Sequence, residues 1–138
     1  GTRFNVRSRP TGLEVAVEEG RVEVAGRGRP GAVVLRAGEA VRMDGGRDRL
    51  TRLRVPRERI GAWRRGGLTV VDEPLSAILS ELSRRFAVEV TLADPDGGGR
   101  ERLSVYYPNL GSLESVLSDL TIQQDLRYRR TAEGWEVF

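Results

Sequence analysis

Residues 1–55 alternate apolar and polar positions in short runs broken by glycine, the period-two pattern of β-strands. Leu13, Val15 and Val17 share one phase, and after Glu19-Gly20 the phase restarts with Val22 and Val24. A polar, Gly/Pro-rich turn runs from Gly26 to Gly31. Val33, Leu35 and Ala37 follow, Gly38-Glu39 turns the chain, and Val41 and Met43 continue to a stop at Asp44-Gly45-Gly46. Strands of about five residues between tight turns predict a stacked β layer, solenoid- or sandwich-like. The spacing is too loose for a strict repeat.

The pattern changes twice more. In residues 56–67, Pro56 opens a short helical turn, Ile60 and Trp63 fall three apart on one side, and Gly66-Gly67 closes it. This stretch reads as a joint between two subdomains, with Trp63 and Leu68 packing there. In residues 68–138, Leu68–Val71 is a strand, and Asp72 and Pro74 supply helix-start chemistry. Leu75, Ile78, Leu79, Leu82 and Phe86 then recur at helical spacing, with Ser76, Ser80, Glu81 and Arg84 on the other face. Val88–Leu92 and Leu103–Tyr107 alternate as strands around a turn from Asp94 to Gly99. Ser112 caps a second helix with Leu113, Val116, Leu117 and Leu120 on its apolar face. A hairpin of Leu126–Arg130 and Trp135–Phe138 turns at Glu133-Gly134. The helices start 38 residues apart, at Leu75 and Leu113, so β-α-β is followed by β-α-β-β. The fold class is α+β: a β-rich subdomain (1–55), a helical joint (56–67) and a small duplicated β-α-β subdomain (68–138).

Composition fits an ordinary globular chain of 138 residues, 38% hydrophobic and 31% charged. Two halves of about 70 residues each build a marginal core. All 23 basic residues are arginine, and the formal net charge is only +3. Spread over a surface, that is a weak drive toward nucleic acid. No apolar stretch reaches the roughly 20 residues of a membrane helix.

The missing residue types restrict the chemistry. No His and no Cys removes the histidine triads, thiol nucleophiles and ordinary zinc sites. No Lys removes Schiff bases and the P-loop lysine. Neither catalytic, cofactor nor metal residues are expected. Glu18-Glu19 precede a glycine turn and point to opposite faces of a strand, which makes them a solvated turn and not a carboxylate pair. Asp94–Gly99 lacks the ligand spacing of a calcium loop. Gly26–Gly31, Arg64-Arg65 and Arg129-Arg130 are short basic stretches without interleaved aromatics. Tyr106-Tyr107 and Tyr128 are the better candidates, because one of two successive strand tyrosines leaves the core. An exposed tyrosine beside an open sheet edge suits protein recognition. Leu103, Val105, Tyr106, Tyr107, Tyr128 and Arg130 are the candidate partner-binding residues, and Trp135 is read as core in phase with Val137.

Several stretches resemble FecR-type transmembrane sigma-factor regulators. Gly1-Thr2-Arg3-Phe4-Asn5-Val6-Arg7 is similar to that family's GTRFxV stretch, and Glu14–Val24 to its V-x-V-x-x-G-x-V-x-V segment. Leu35–Val41 resembles the L-x-A-G-E-x-V turn, and Trp63-Arg64-Arg65-Gly66 with Leu68 and Pro74-Leu75 resembles the following junction. Residues 69–138 resemble the secretin and TonB short N-terminal (STN) type of fold. Each motif alone is weak, while their order and spacing are specific.

The resemblance implies the periplasmic part of a single-pass inner-membrane protein of a Gram-negative bacterium, with a membrane helix and a cytoplasmic segment upstream of Gly1. It implies binding to the N-terminal signalling domain of a TonB-dependent outer-membrane transducer, often one for ferric siderophores. The cytoplasmic region would act on an extracytoplasmic-function sigma factor. No enzyme activity, cofactor or nucleic acid is implied. The alternatives are an envelope-assembly module related to secretin N-terminal domains and, less favoured, an arginine-based nucleic-acid binder.

Overall fold

The computed structural model describes residues 1–9, 12–26, 31–44, 49–96 and 101–138. The protein is α+β and β-rich, with two α-helices and several small sheets. It divides into two compact units, Gly1–Arg65 and Gly66–Phe138. Of residues 56–67, read as a joint, 56–65 fall in the first unit and Gly66-Gly67 in the second. Parts of the turns expected at Gly26–Gly31, Asp44–Gly46 and Asp94–Gly99 lie outside the described residues.

The first unit carries a four-stranded antiparallel sheet in the order β1 (Arg3–Arg9), β2 (Gly12–Glu19), β5 (Glu39–Asp44), β6 (Arg49–Arg54). A hairpin of β3 (Arg21–Ala25) and β4 (Ala32–Arg36) packs on one face. Val15, Val17, Leu35 and Val41 form the core there, joined by Leu13, Val22, Val24, Val33 and Leu50. The alternation read from the sequence therefore places the right residues in this core. Two details differ. Ala37 is exposed in a turn beyond β4, because the chain reverses at Ala37-Gly38 before another strand residue is reached. Ala16 and Ala40 are buried on the opposite face, so the centre of β2 is covered on both sides.

The cover on that second face is the segment after β6. Val55, Ile60 and Ala62 are buried. Pro56 precedes a 3₁₀ turn at Arg57–Arg59, and a second turn spans Ala62–Arg65. Arg57 Nε donates to the Glu18 carbonyl at 3.2 Å, and Arg64 Nη1 donates to Glu18 Oε2 at 3.0 Å. Glu18 is thus an anchored carboxylate and not a solvated turn residue. Ile60 and Trp63 do not share a side: Ile60 is buried while Trp63 is 49% exposed. A 3₁₀ turn followed by a glycine at positive φ separates the two positions that α-helical spacing would align.

The second unit runs β7 (Leu68–Pro74), α1 (Leu75–Phe86), β8 (Glu89–Leu92), β9 (Arg102–Tyr107), α2 (Leu113–Gln123), β10 (Tyr128–Arg130), β11 (Gly134–Val137). β7 pairs antiparallel with β9 in a two-stranded sheet. β8 pairs parallel with β11, which pairs antiparallel with β10. One core joins both helices to both sheets: Leu68 and Val70, then Leu75, Ile78, Leu79 and Leu82, then Val90, Leu113, Val116, Leu117, Leu120 and Val137. Each fully buried aliphatic side chain contributes about 2 kcal/mol. Glu81, expected on the outer face of α1, is buried and ion-paired with Arg84. Its carboxylate keeps a charged partner one turn along, which offsets its loss of water.

The helix ends follow local chemistry. Ser112 Oγ accepts from the Ser115 N–H at 3.2 Å, the expected cap of α2. Asp72 does not cap α1. It sits in a bulge of β7 at φ 51, where one extra residue separates the Val70–Val105 and Glu73–Leu103 pairs. The bulge shifts the strand's phase, turning Asp72 outward and burying Glu73. Arg102 Nε donates to Asp72 Oδ1 at 2.9 Å, and the Asp72 N–H donates to Ser104 Oγ at 3.0 Å, holding the kink. The last strands are shorter than the alternation suggests, beginning at Tyr128 and not Leu126. Among the described residues no helix is long and apolar enough to cross a membrane.

Two substitutions test this account. A Cβ on Gly134 would lie 2.0 Å from the Glu89 carbonyl oxygen, so Gly134→Ala forces β8 and β11 apart. It should destabilise the second unit by about 1–3 kcal/mol in urea unfolding, the usual cost of overpacking. Ala87 ends α1 in the left-handed region at φ 52. Ala87→Gly removes a conformational cost of about 1–2 kcal/mol, partly offset by the freer unfolded chain, and should raise the unfolding midpoint.

Candidate partner-binding surface

The expected binding residues divide between two sheets. Leu103, Val105, Tyr106 and Tyr107 lie on β9, while Tyr128 and Arg130 lie on β10. Within the described residues β9 has β7 as its only strand neighbour, and β10 has only β11. Both therefore keep one main-chain edge without a strand partner.

On β9 the two faces have different uses. Leu103, Val105 and Tyr107 are half-buried and pack against the core. Their side chains support the fold, so only their main chain is placed to meet a partner. Tyr106 has the opposite phase, across from Thr69 and in step with Ser104 and Arg102. This outward row, with the Arg102–Asp72 ion pair at its end, is the part of β9 that presents side chains. The two-tyrosine argument thus resolves with Tyr107 inward and Tyr106 outward. Burial, then the nearby Asp119 carboxylate, pushes the Tyr107 phenol above its ordinary value.

On β10 the side chains stack. The Tyr128 ring centroid lies 5.7 Å from that of Trp135 at an interplanar angle of 51°. Arg130 lies over the Trp135 ring at 5.0 Å, and Arg129 lies over Phe138 at 4.7 Å while also pairing with Glu136. Tyr128 and Trp135 both pack on the core beside the fully buried Val137. The hairpin thus presents guanidinium groups backed by aromatic rings, a composition common at protein interfaces. Alternation alone does not yield the arginine stacks, because the register that pairs Arg130 with Trp135 depends on where the turn falls.

The residues assigned to the joint are each held inside their own unit. The Trp63 indole N–H donates to Asn5 Oδ1 at 3.0 Å, with Arg64 5.6 Å over its ring. Leu68 is fully buried in the core of the second unit. The first unit also has a cleft of about 360 Å³ lined by Arg3, Glu18, Glu19, Arg57 and Glu58. Its walls carry both signs of charge, with Arg3 paired to Glu19.

Against known proteins, no family model matches the chain and no curated protein matches it. Solved structures do. A crystal structure of a candidate anti-sigma factor from Parabacteroides distasonis ATCC 8503 superposes with a TM-score of 0.87 at 24% identity, over 100% of this chain and 64% of that one. A second crystal structure of such a protein from the same organism gives 0.85 at 23% identity, over 98% and 62%. The fold is shared. The chain spans under two thirds of the length of either solved structure, and at this identity the likeness concerns the fold.

The raised Tyr107 phenol has a testable consequence. Below the ordinary phenol range near 10 both states hold the proton and stability is unaffected. As pH rises past it, only the unfolded chain ionises, so folding stability falls. Unfolding curves through that range should show the loss, and Tyr107→Phe should flatten it. Ultraviolet titration should show the Tyr107 phenol ionising above the ordinary phenol range.

Proposed function

We propose that this chain is the periplasmic signalling region of a FecR-type transmembrane sigma-factor regulator, a protein-binding module without catalytic chemistry. The observation that carries the reading is the superposition of the whole chain on the candidate anti-sigma factor. The ordered motifs from Gly1-Thr2-Arg3-Phe4 to Pro74-Leu75 support it independently, since they run along the first unit and into the start of the second. In this reading the second unit is an STN-like module that docks the N-terminal signalling domain of a TonB-dependent outer-membrane transducer. A membrane helix and a cytoplasmic segment elsewhere in the parent protein pass the signal to an extracytoplasmic-function sigma factor, in a circuit for iron–siderophore uptake.

The physical route is strand addition. The main-chain edge of β9 offers hydrogen bonds, and Tyr106 and Arg102 on its outward row supply side-chain contacts. The Arg130–Trp135 stack across β10 and β11 is the second contact region.

Isothermal titration of the 138-residue protein with isolated signalling domains of TonB-dependent transducers from the same organism should give a one-to-one complex with one of them. Tyr106→Ala should weaken that complex at least tenfold, about 1.4 kcal/mol. Arg130→Ala should weaken it less, since the arginine is solvent-facing. Self-association by light scattering, with no complex to any transducer domain, would overturn the reading in favour of an envelope-assembly module.

A further inference from the structure

The formal net charge of +3 is the sum of two unlike units. Residues 1–65 hold sixteen arginines against eight Asp and Glu, a net +8, whereas residues 66–138 hold seven against twelve, a net −5. The excess in the first unit is concentrated. Residues 49–65, which run through β6 and the two 3₁₀ turns, carry seven arginines and one acid, Glu58. Arg52, Arg54, Arg57, Arg59, Arg64 and Arg65 are all exposed. Glu14, Glu18, Glu19 and Glu23 are ion-paired with arginines of the same unit. Pairing all eight acids one to one would still leave eight guanidinium charges to be met from outside.

The form of this surface narrows what can meet it. The cleft of the first unit is lined by both signs of charge, so it does not gather the excess. The arginines follow a continuous segment and do not ring a pocket, which suits a partner whose negative charge is spread out. A guanidinium also binds phosphate through two parallel hydrogen bonds. Nucleic acid is a poorer match. Among the described residues the first unit has no α-helix to enter a groove. Its two aromatic residues, Phe4 and Trp63, are too few to stack successive bases. The acidic unit of a second copy is also a poorer match, because Asp72, Glu81 and Glu136 already pair with arginines of their own unit.

We propose that the arginine-rich segment of the first unit, from β6 through the 3₁₀ turns, is a docking surface for an anionic phospholipid membrane. The lipid phosphates supply the negative charge that the eight carboxylates of the unit do not. Each basic residue held near such a surface strengthens binding about fivefold, and added salt screens the attraction. The second unit, with its net −5, is repelled by the same lipids, so contact is confined to the first. This site rests on the charge of the first unit and not on the regulator reading above.

The test measures binding of the 138-residue protein to phosphatidylcholine vesicles with and without phosphatidylglycerol, and to a DNA duplex at the same salt and phosphate concentration. The protein should bind only the vesicles that contain phosphatidylglycerol, bind them more tightly than the duplex, and come off as salt is raised. Arg54→Gln with Arg59→Gln should weaken vesicle binding at least tenfold. Arg127→Gln with Arg130→Gln removes the same charge from the second unit and should change binding by no more than about twofold. Should the first pair fail to fold, Arg54→Gln alone should still weaken binding about fivefold. No binding to the anionic vesicles, equal losses in the two double variants, or tighter binding to the duplex would overturn the proposal. So would a salt-sensitive rise in mass by light scattering without vesicle binding, which would assign the arginines to the acidic unit of a second copy.

Discussion

The parallel pairing of β8 with β11 is the interaction on which the second unit depends. It joins Glu89–Leu92 to Gly134–Val137 and places Val90 and Val137 in the same core as both helices. It requires the β11 backbone to approach so closely at Gly134 that no Cβ fits. The companion pairing, β7 with β9, also joins the first half of the unit to the second. Neither half contains a sheet made from its own first strand and its own last, so neither buries its helix alone. The order of elements reads as two consecutive β-α-β segments, but the hydrogen bonds interleave them.

The first unit follows a different logic. Its pairings join neighbours or near neighbours in sequence, and its small core is made sufficient by covering both faces of β2. Side chains do the covering on the second face: Arg57 and Arg64 fasten the 3₁₀ segment to Glu18, and Trp63 fastens it to Asn5. The Glu14–Arg42 pair, directly opposite across β2 and β5 at 3.0 Å and mostly shielded from water, adds a cross-strand tie. An all-arginine cation set suits this work, since a guanidinium bonds carbonyls and carboxylates from several angles at once.

Much of this was legible in the chain. The helical period from Leu75 to Leu82, the Ser112 cap and the alternating valines of residues 13–41 identify the elements and most of the buried residues, because periodicity records which face meets the core. What stayed hidden depended on partners distant in sequence. Asp72 has the composition of a cap, but Arg102 and Ser104 thirty residues later hold it in a bulge instead. Glu81 looks like a surface residue until its burial is known. Among the candidate binding residues, the alternation of Tyr106 and Tyr107 was readable. The inward packing of Leu103 and Val105 follows from the same alternation, yet it removes them as side-chain contacts.

The interleaving has a consequence for the order in which the chain is made. Hairpins β1–β2, β3–β4 and β5–β6 close as soon as their residues emerge from the ribosome. β7 must wait for β9, some 35 residues from Val70 to Val105, and β8 must wait for β11, 45 residues from Glu89 to Gly134. Until Trp135 to Val137 have been added, a nascent second unit holds two helical segments too short to be stable alone and unsatisfied strands with nothing to shut against. Folding factors and proteases thus meet a folded first unit trailing an open second one, and a chain stopped short of Gly134 stays in that state.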